Sequence, residues 1–265
     1  MSVLVVVPAR FASARYPGKP LVMLRGATGE ARSLVRRSWE AAREVGGVDR
    51  VVVATDDGRI RDHCEGWGAE VVMTSPAHRN GTERCAEALA ALGGGFDVVV
   101  NLQGDAPLTP PWFVEALVEG LRASDLPAAT PVLRMEGAAL AGFLEDRRAG
   151  RVGGTTAVFG AGSRALYFSK EVIPHVGRRY GPGEATPVFH HVGVYAYRPF
   201  ALAAYGEWAP GPLEELEGLE QLRFLENGCG VLCVEVEARG RAFWELNNPE
   251  DVPRIEAMLG EMGLA

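Results

Sequence analysis

The chain has 265 residues, 47% hydrophobic and 23% charged, which is enough to bury a sizeable core and unlike a disordered segment. Its formal net charge of −7 excludes a general nucleic-acid or anionic-membrane binder, so any phosphate ligand must be met by local charge. No apolar run approaches the roughly 20 residues of a membrane span, and Val3–Val7, with no basic region before it, does not read as a signal peptide, so a cytoplasmic protein is expected.

The first predicted element is a buried strand, the β-branched run Val3–Val7, which ends at Pro8 and empties into a loop carrying Arg10, Arg15 and Lys19 among small and turn-forming residues. The loop has neither the dinucleotide fingerprint nor the P-loop pattern. It offers three cations and free backbone N–H groups, which suit a polyphosphate as well as they suit a solvated basic loop. Of 27 basic residues only Lys19 and Lys170 are lysine, so a lysine kept here points to a need for a compact, rotatable point charge.

Helical periodicity follows over Ala31–Val45 and stops at Gly46-Gly47. Strands are expected at Val51–Ala54, Glu70–Met73 and Phe96–Asn101, with helices at 57–67 and 82–92 between them. This alternation implies βαβ units, a mostly parallel sheet and right-handed crossovers, with ligands at the carboxyl ends of the strands. From Gly137 to Gly162 the periodicity fades and a loop or arm is expected. Strands at Leu166–Ser169, Val192–Tyr197 and Val231–Val236 and helices at Pro212–Asn227 and Pro249–Met262 complete the chain. No linker separates an independent domain. One α/β domain over 1–265 is expected, with a nucleotide-binding half to 125, an inserted region over about 126–212 and a closing helix-strand-helix over 213–265. Cys64, Cys85, Cys229 and Cys233 have no zinc-type spacing and read as free thiols.

Several residues could carry chemistry. Asp105 follows a buried strand and a glycine, a place that suits a turn cap or a ligand for a hard divalent cation equally. Asn80-Gly81-Thr82-Glu83-Arg84 opens a helix whose N-terminus favours an anion, although Thr82 would also serve as a plain N-cap. His191 and Tyr195 are four apart on an expected strand and share a face. Glu220 and Gln221 read as a solvated helix face.

These segments together resemble a known family. The loop PARFASARYPGKPL, with GTER at 81–84, VNLQGD at 100–105, HHVGVY at 190–195 and LEQLR at 219–223, is similar to the sugar nucleotidyltransferases, most closely the 3-deoxy-manno-octulosonate (KDO) cytidylyltransferases. The resemblance implies a Rossmann-like nucleotidyltransferase fold with an inserted sugar-binding and dimerisation subdomain. The implied reaction transfers CMP from CTP to KDO with Mg2+ and releases pyrophosphate, for lipopolysaccharide or other surface glycans. On this reading Lys19, Arg10 and Asp105 are catalytic. Pro8, Ala9, Arg10, Ser13, Arg15, Lys19, Thr82, Arg84, Gln103 and Asp105 hold the nucleotide. Lys170, His191, Tyr195, Glu220 and Gln221 present the sugar, and Asp105 with Asn247 binds the metal. CTP and KDO are the expected partners, with a second copy of the chain in a homodimer.

The chain departs from the family pattern at Ala106, where glutamate is usual, at Lys170, where arginine is usual, at Thr156, where a lysine is missing, and at Asn247, where the metal-completing aspartate is expected. A nucleotidyltransferase for another acidic sugar and a non-catalytic CTP-binding paralogue are the alternatives these departures raise.

Overall fold

The computed structural model describes residues 2–12, 16–152, 154–241 and 244–264. The elements in chain order begin with β1 (Val3–Ala9), β2 (Met23–Arg25), β3 (Ala31–Ser33), α1 (Leu34–Arg43), β4 (Arg50–Thr55), α2 (Gly58–Glu65), β5 (Glu70–Met73), α3 (Gly81–Ala91), β6 (Val98–Leu102) and α4 (Pro111–Arg122). They continue with β7 (Ala128–Glu136), α5 (Gly137–Arg148), β8 (Thr155–Phe159), β9 (Ala165–Ser169), β10 (Ala185–His191), β11 (Val194–Tyr197), α6 (Pro199–Glu207), α7 (Pro212–Glu217), α8 (Leu222–Glu226), β12 (Val231–Glu235) and α9 (Val252–Glu261). The class is α/β and the arrangement Rossmann-like, as the strand-helix alternation predicts. No helix among the described residues is long and apolar enough to cross a membrane.

The chain divides into two compact units, one of residues 1–115 and 238–265 and one of 116–237. The sequence-predicted closing segment is therefore shared: its first helix and strand belong to the second unit and its last helix to the first.

In the first unit the strands run β5-β4-β1-β6, all parallel. β1 lies between β4 and β6, with Val5 opposite Val51 on one side and Val100 on the other. A strand covered on both faces must be apolar at every position rather than at alternate ones, and Val3–Val7 is fully buried. Residues 31–33 form β3, paired with β2, rather than the first turn of a helix, because Ser33 is the N-cap: its hydroxyl accepts from the Arg36 N–H. A separate apolar cluster of Leu24, Leu34, Leu108, Leu246, Ile255 and Leu259 fastens α9 to the unit.

In the second unit β7 is central, with β12 parallel along one edge and β10 and β11 antiparallel along the other, followed by β8 and β9. Two sequence expectations are corrected here. Residues 137–162 are not a loop or arm but contain α5 and β8. Only Gly137 and Leu140 of α5 are buried, with Phe143 and Leu144 half-covering Met135 and Val188, so the helix shows too narrow an apolar stripe to be read as one. The single helix expected over 212–227 is broken: α7 ends at Gly218, whose φ of 61° is left-handed, and α8 begins at Leu222.

Candidate active site

In the first unit the loops that follow β1 and β6 meet. Gly18, with φ 71°, donates its N–H to the Phe11 carbonyl at 3.0 Å and closes the basic loop, so that Lys19 starts the short 3-10 turn 19–21. Lys19 Nζ donates to Asp105 Oδ2 at 2.6 Å, the two side chains being only 14% and 27% exposed. The backbone at Gly104 lies so close to β1 that a Cβ there would overlap the Pro8 carbonyl, which fixes glycine at this position. The Gly104 carbonyl accepts from Ser38 Oγ at 3.0 Å, and the Asp105 carbonyl accepts from the Leu246 N–H at 2.9 Å. That last bond brings the segment bearing Asn247 against the turn bearing Asp105. Asn247 is held in place as its own N–H donates to Asp251 Oδ2 at 2.9 Å.

Arg10 is exposed, and its Nη1 reaches the Arg79 carbonyl at 3.5 Å. Pro8 and Ala9 close β1. Ser13 and Arg15 lie outside the described residues. Gln103 is half-buried against the start of α3, where a Cβ on Gly81 would sit 2.9 Å from Asn101 Nδ2 and 3.2 Å from Gln103 Nε2. The cap of α3 is Asn80, whose Oδ1 accepts from the Glu83 N–H at 2.9 Å; Thr82 and Arg84 are buried. Arg84 pairs with Asp56 at 3.1 Å and also donates to Thr74 Oγ1, so it ties α3 to the carboxyl ends of β4 and β5. Asn101 and Asp56 were not singled out from the sequence. The available signals are a lone amide closing the run Val98-Val99-Val100 and the stretch Thr55-Asp56-Asp57 at the carboxyl end of the strand expected over Val51–Ala54.

In the second unit His191, Tyr195 and Gln221 come together. Tyr195 donates its hydroxyl to Gln221 Oε1 at 3.0 Å, and the His191 ring lies 5.7 Å from that of Tyr195. The two are not on one continuous strand, since β10 ends at His191 and β11 starts at Val194. Thr130 gives its hydroxyl proton to the Val192 and Val194 carbonyls, so at 3.0 Å it accepts from His191 Nε2, and Nδ1 accepts from Thr155 Oγ1 at 2.9 Å. Both ring nitrogens are thus engaged, and the imidazole is a neutral wedge under Tyr195.

Lys170 is clamped by its backbone: its N–H donates to Glu217 Oε2 at 2.9 Å and its carbonyl accepts from Arg147 Nε. Its ammonium lies over Gly218, whose added Cβ would be 3.0 Å from Nζ, at the carboxyl end of α7. Glu220 and Gln221 occupy the turn between α7 and α8 rather than a helix face. The Glu220 carbonyl accepts from Tyr205 OH at 3.1 Å, and Gln221 is buried.

Burial pushes the His191 imidazole down to about 3, with the neighbouring His190 adding to the shift, and pushes His190 down to about 4, with the Arg147 charge contributing. The unfolded chain takes up these protons near pH 6.5 while the folded one does not, so stability must fall as pH drops below that value. His191 alone is expected to remove about 1.4 kcal/mol per pH unit between roughly pH 6 and 4. Urea unfolding at pH 7, 6 and 5 should show the slope, and His191→Gln should flatten it; equal slopes in the two proteins would refute the assignment.

Cys64 and Cys233 are buried and their thiols are pushed up to about 12 by burial, as expected of inert core cysteines.

A cation and a carboxylate meet in the loops that follow two neighbouring parallel strands, the place where ligands bind in α/β sheets of this kind. The Cytidylyltransferase family model matches residues 4–237, and the chain belongs to that family. It is 45% identical to the 3-deoxy-manno-octulosonate cytidylyltransferase of Maricaulis maris over 99% of both chains. It is 37% identical to the mitochondrial 3-deoxy-manno-octulosonate cytidylyltransferase of Arabidopsis thaliana, covering 98% of this chain and 84% of that one. A solved structure of CMP:2-keto-3-deoxy-manno-octonic acid synthetase complexed with CTP superposes with a TM-score of 0.82 at 30% identity, covering 99% of this chain and all of the other.

Proposed function

We propose that this chain transfers CMP from CTP to the anomeric hydroxyl of KDO and releases pyrophosphate. The observation that carries the reading is the Lys19–Asp105 contact between the loops after β1 and β6, in a chain related over its whole length to a 3-deoxy-manno-octulosonate cytidylyltransferase. The sugar hydroxyl attacks the α-phosphorus and pyrophosphate leaves, so the protein's work is positioning and charge neutralisation. Lys19, with Arg10 and Arg15, balances the triphosphate. The backbone at Pro8 and Ala9, with Ser13 and Gln103, places the nucleotide, while Thr82 and Arg84 hold the start of α3 for it.

The residues present fit Mg2+. This ion is usually held by one or two carboxylates together with substrate phosphates and waters. Asp105 offers a carboxylate, and Asn247 an amide carbonyl, on segments joined by the Leu246 to Asp105 hydrogen bond. With a single carboxylate, the site is of the open kind that relies on substrate oxygens. When bound, the ion would polarise the α-phosphate and neutralise charge on the leaving group.

On the sugar side the Lys170 ammonium meets the carboxylate as a point charge rather than a guanidinium fork. Gln221, Glu220 and Tyr195 address hydroxyls, and His191 holds Tyr195 in place. We further place the protein in the cytoplasm as a homodimer, supplying activated sugar for lipopolysaccharide or a related surface glycan.

The test is pyrophosphate release with CTP and Mg2+, with and without KDO, alongside ATP, GTP and UTP. KDO-dependent release with CTP at least tenfold above the other nucleotides is expected. No release with KDO, despite measurable CTP binding, would overturn the assignment and direct the search to other acidic sugars.

A further inference from the structure

Buried polar atoms without a hydrogen-bond partner are few in folded proteins, and each asks for a reason. Seven such side-chain atoms occur among the described residues, and they gather in three places. Both amide atoms of Asn101 and Oδ1 of Asp56 are at the carboxyl ends of β6 and β4, in the nucleotide half. Nε2 of Gln221 is in the Tyr195 cluster of the sugar half. The remaining three are all N–H donors, namely Arg32 Nε, Trp39 Nε1 and Trp67 Nε1; the atoms themselves are closed to solvent, and their three residues line one cavity of about 570 Å³.

This cavity belongs to the first unit, between α1, the segment Pro107–Pro111 and α9, and neither Lys19 nor Asp105 lines it. Five arginines contribute to its wall against two glutamates. One of the glutamates, Glu40, is engaged by Arg32 at 3.0 Å and Arg36 at 2.9 Å, and Arg32 also pairs at 2.8 Å with Glu30 just outside the lining, which still leaves arginine in excess. The Arg36 and Arg43 guanidinium carbons lie 5.8 Å and 4.8 Å from the Trp67 and Trp39 ring centroids, and the two indoles meet edge to face at 4.9 Å. Guanidinium N–H groups donate and do not accept. Such a wall selects a ligand made of acceptor oxygens that also carries negative charge, and several guanidinium groups favour phosphate over a single carboxylate.

We propose that this cavity is a phosphate-binding site separate from the nucleotide loop, recognising either free phosphate or the phosphate group of a small metabolite. Its floor is tied to the catalytic turn, since Thr109 Oγ1 donates to the Ala106 carbonyl at 3.0 Å and Ser38 of α1 donates to that of Gly104 at 3.0 Å.

Tryptophan fluorescence of the full chain, titrated with sodium phosphate and with glucose 6-phosphate at constant ionic strength against a sodium chloride control, tests the site. A saturable change is expected in the wild type and in Lys19→Ala, with affinity reduced at least tenfold in Arg36→Ala/Arg43→Ala and by a smaller factor in the single exposed change Arg43→Gln. Retained KDO-dependent turnover or an unchanged unfolding midpoint identifies the cavity variants as folded. Tighter binding of the ester would assign the site to a phosphorylated metabolite, and equal binding to free phosphate. Loss of the signal in Lys19→Ala with retention in both cavity variants would place the phosphate in the nucleotide loop and overturn the proposal. So would the absence of any saturable change beyond sodium chloride.

Discussion

Replacement of Asp105 by alanine is expected to lower KDO-dependent pyrophosphate release on the order of a thousandfold, with the loss mainly in kcat. Two effects act together. The carboxylate proposed to hold Mg2+ disappears, and Lys19, whose ammonium is 2.6 Å from that carboxylate, loses the partner that orients it. Asp105→Asn separates the two, because an amide oxygen still accepts from Lys19 but carries no charge toward a divalent ion. A loss in Asp105→Asn nearly as large as in Asp105→Ala, with the metal dependence shifted to higher concentration, is the expected pattern. Near-full activity in Asp105→Ala would remove this residue from the chemistry.

The second large effect is on stability. Arg223 and Glu214 form a buried bidentate ion pair at 2.6 and 2.7 Å, with Arg223 also 4.1 Å over the Tyr205 ring. Removing one partner leaves the other charge buried and uncompensated, so Arg223→Ala is expected to cost about 3–5 kcal/mol in urea unfolding. The same network holds the turn bearing Glu220 and Gln221, proposed above to face the sugar, since Tyr205 donates to the Glu220 carbonyl, and KM for KDO should rise while KM for CTP stays close to its original value. The double replacement Arg223→Met/Glu214→Leu should recover most of the stability, because neither charge is then stranded. A loss below about 1 kcal/mol in Arg223→Ala would show that the pair is not the support described here.

The strands around the basic loop are legible because burial on both faces demands unbroken valine runs, and β1, β4, β5 and β6 stand within two residues of their expected bounds at every end. The second unit was less so. β10 over 185–191 has proline and threonine among its early residues and gave no strand signal, and α5 buries too little to show a helical stripe. A left-handed glycine inside an amphipathic pattern, Gly218, turned one expected helix into two and moved Glu220 and Gln221 into the turn between them. Residue types in a motif announce a site without saying how each is used: Lys19 and Asp105 meet directly, whereas Arg84 and His191 spend their polar atoms on the protein itself. Tertiary partners decide this, and Asp56, Thr130 and Thr155 are remote in sequence from the groups they bind.

The first unit is discontinuous: the N–H that steadies the Asp105 carbonyl comes from Leu246, and α9 packs into its apolar seat through Ile255 and Leu259, with Val252 and Met258 half-buried beside them. A growing chain on the ribosome therefore carries Lys19 and Asp105 long before the segment that completes their surroundings has been made. The 116–237 unit has all its own strands by the time β12 emerges, so it can settle first while the nucleotide loop waits. Folding order can thus run opposite to residue order here, and premature termination shortly before Leu246 would yield a chain whose 116–237 unit is complete in sequence and whose first unit is not.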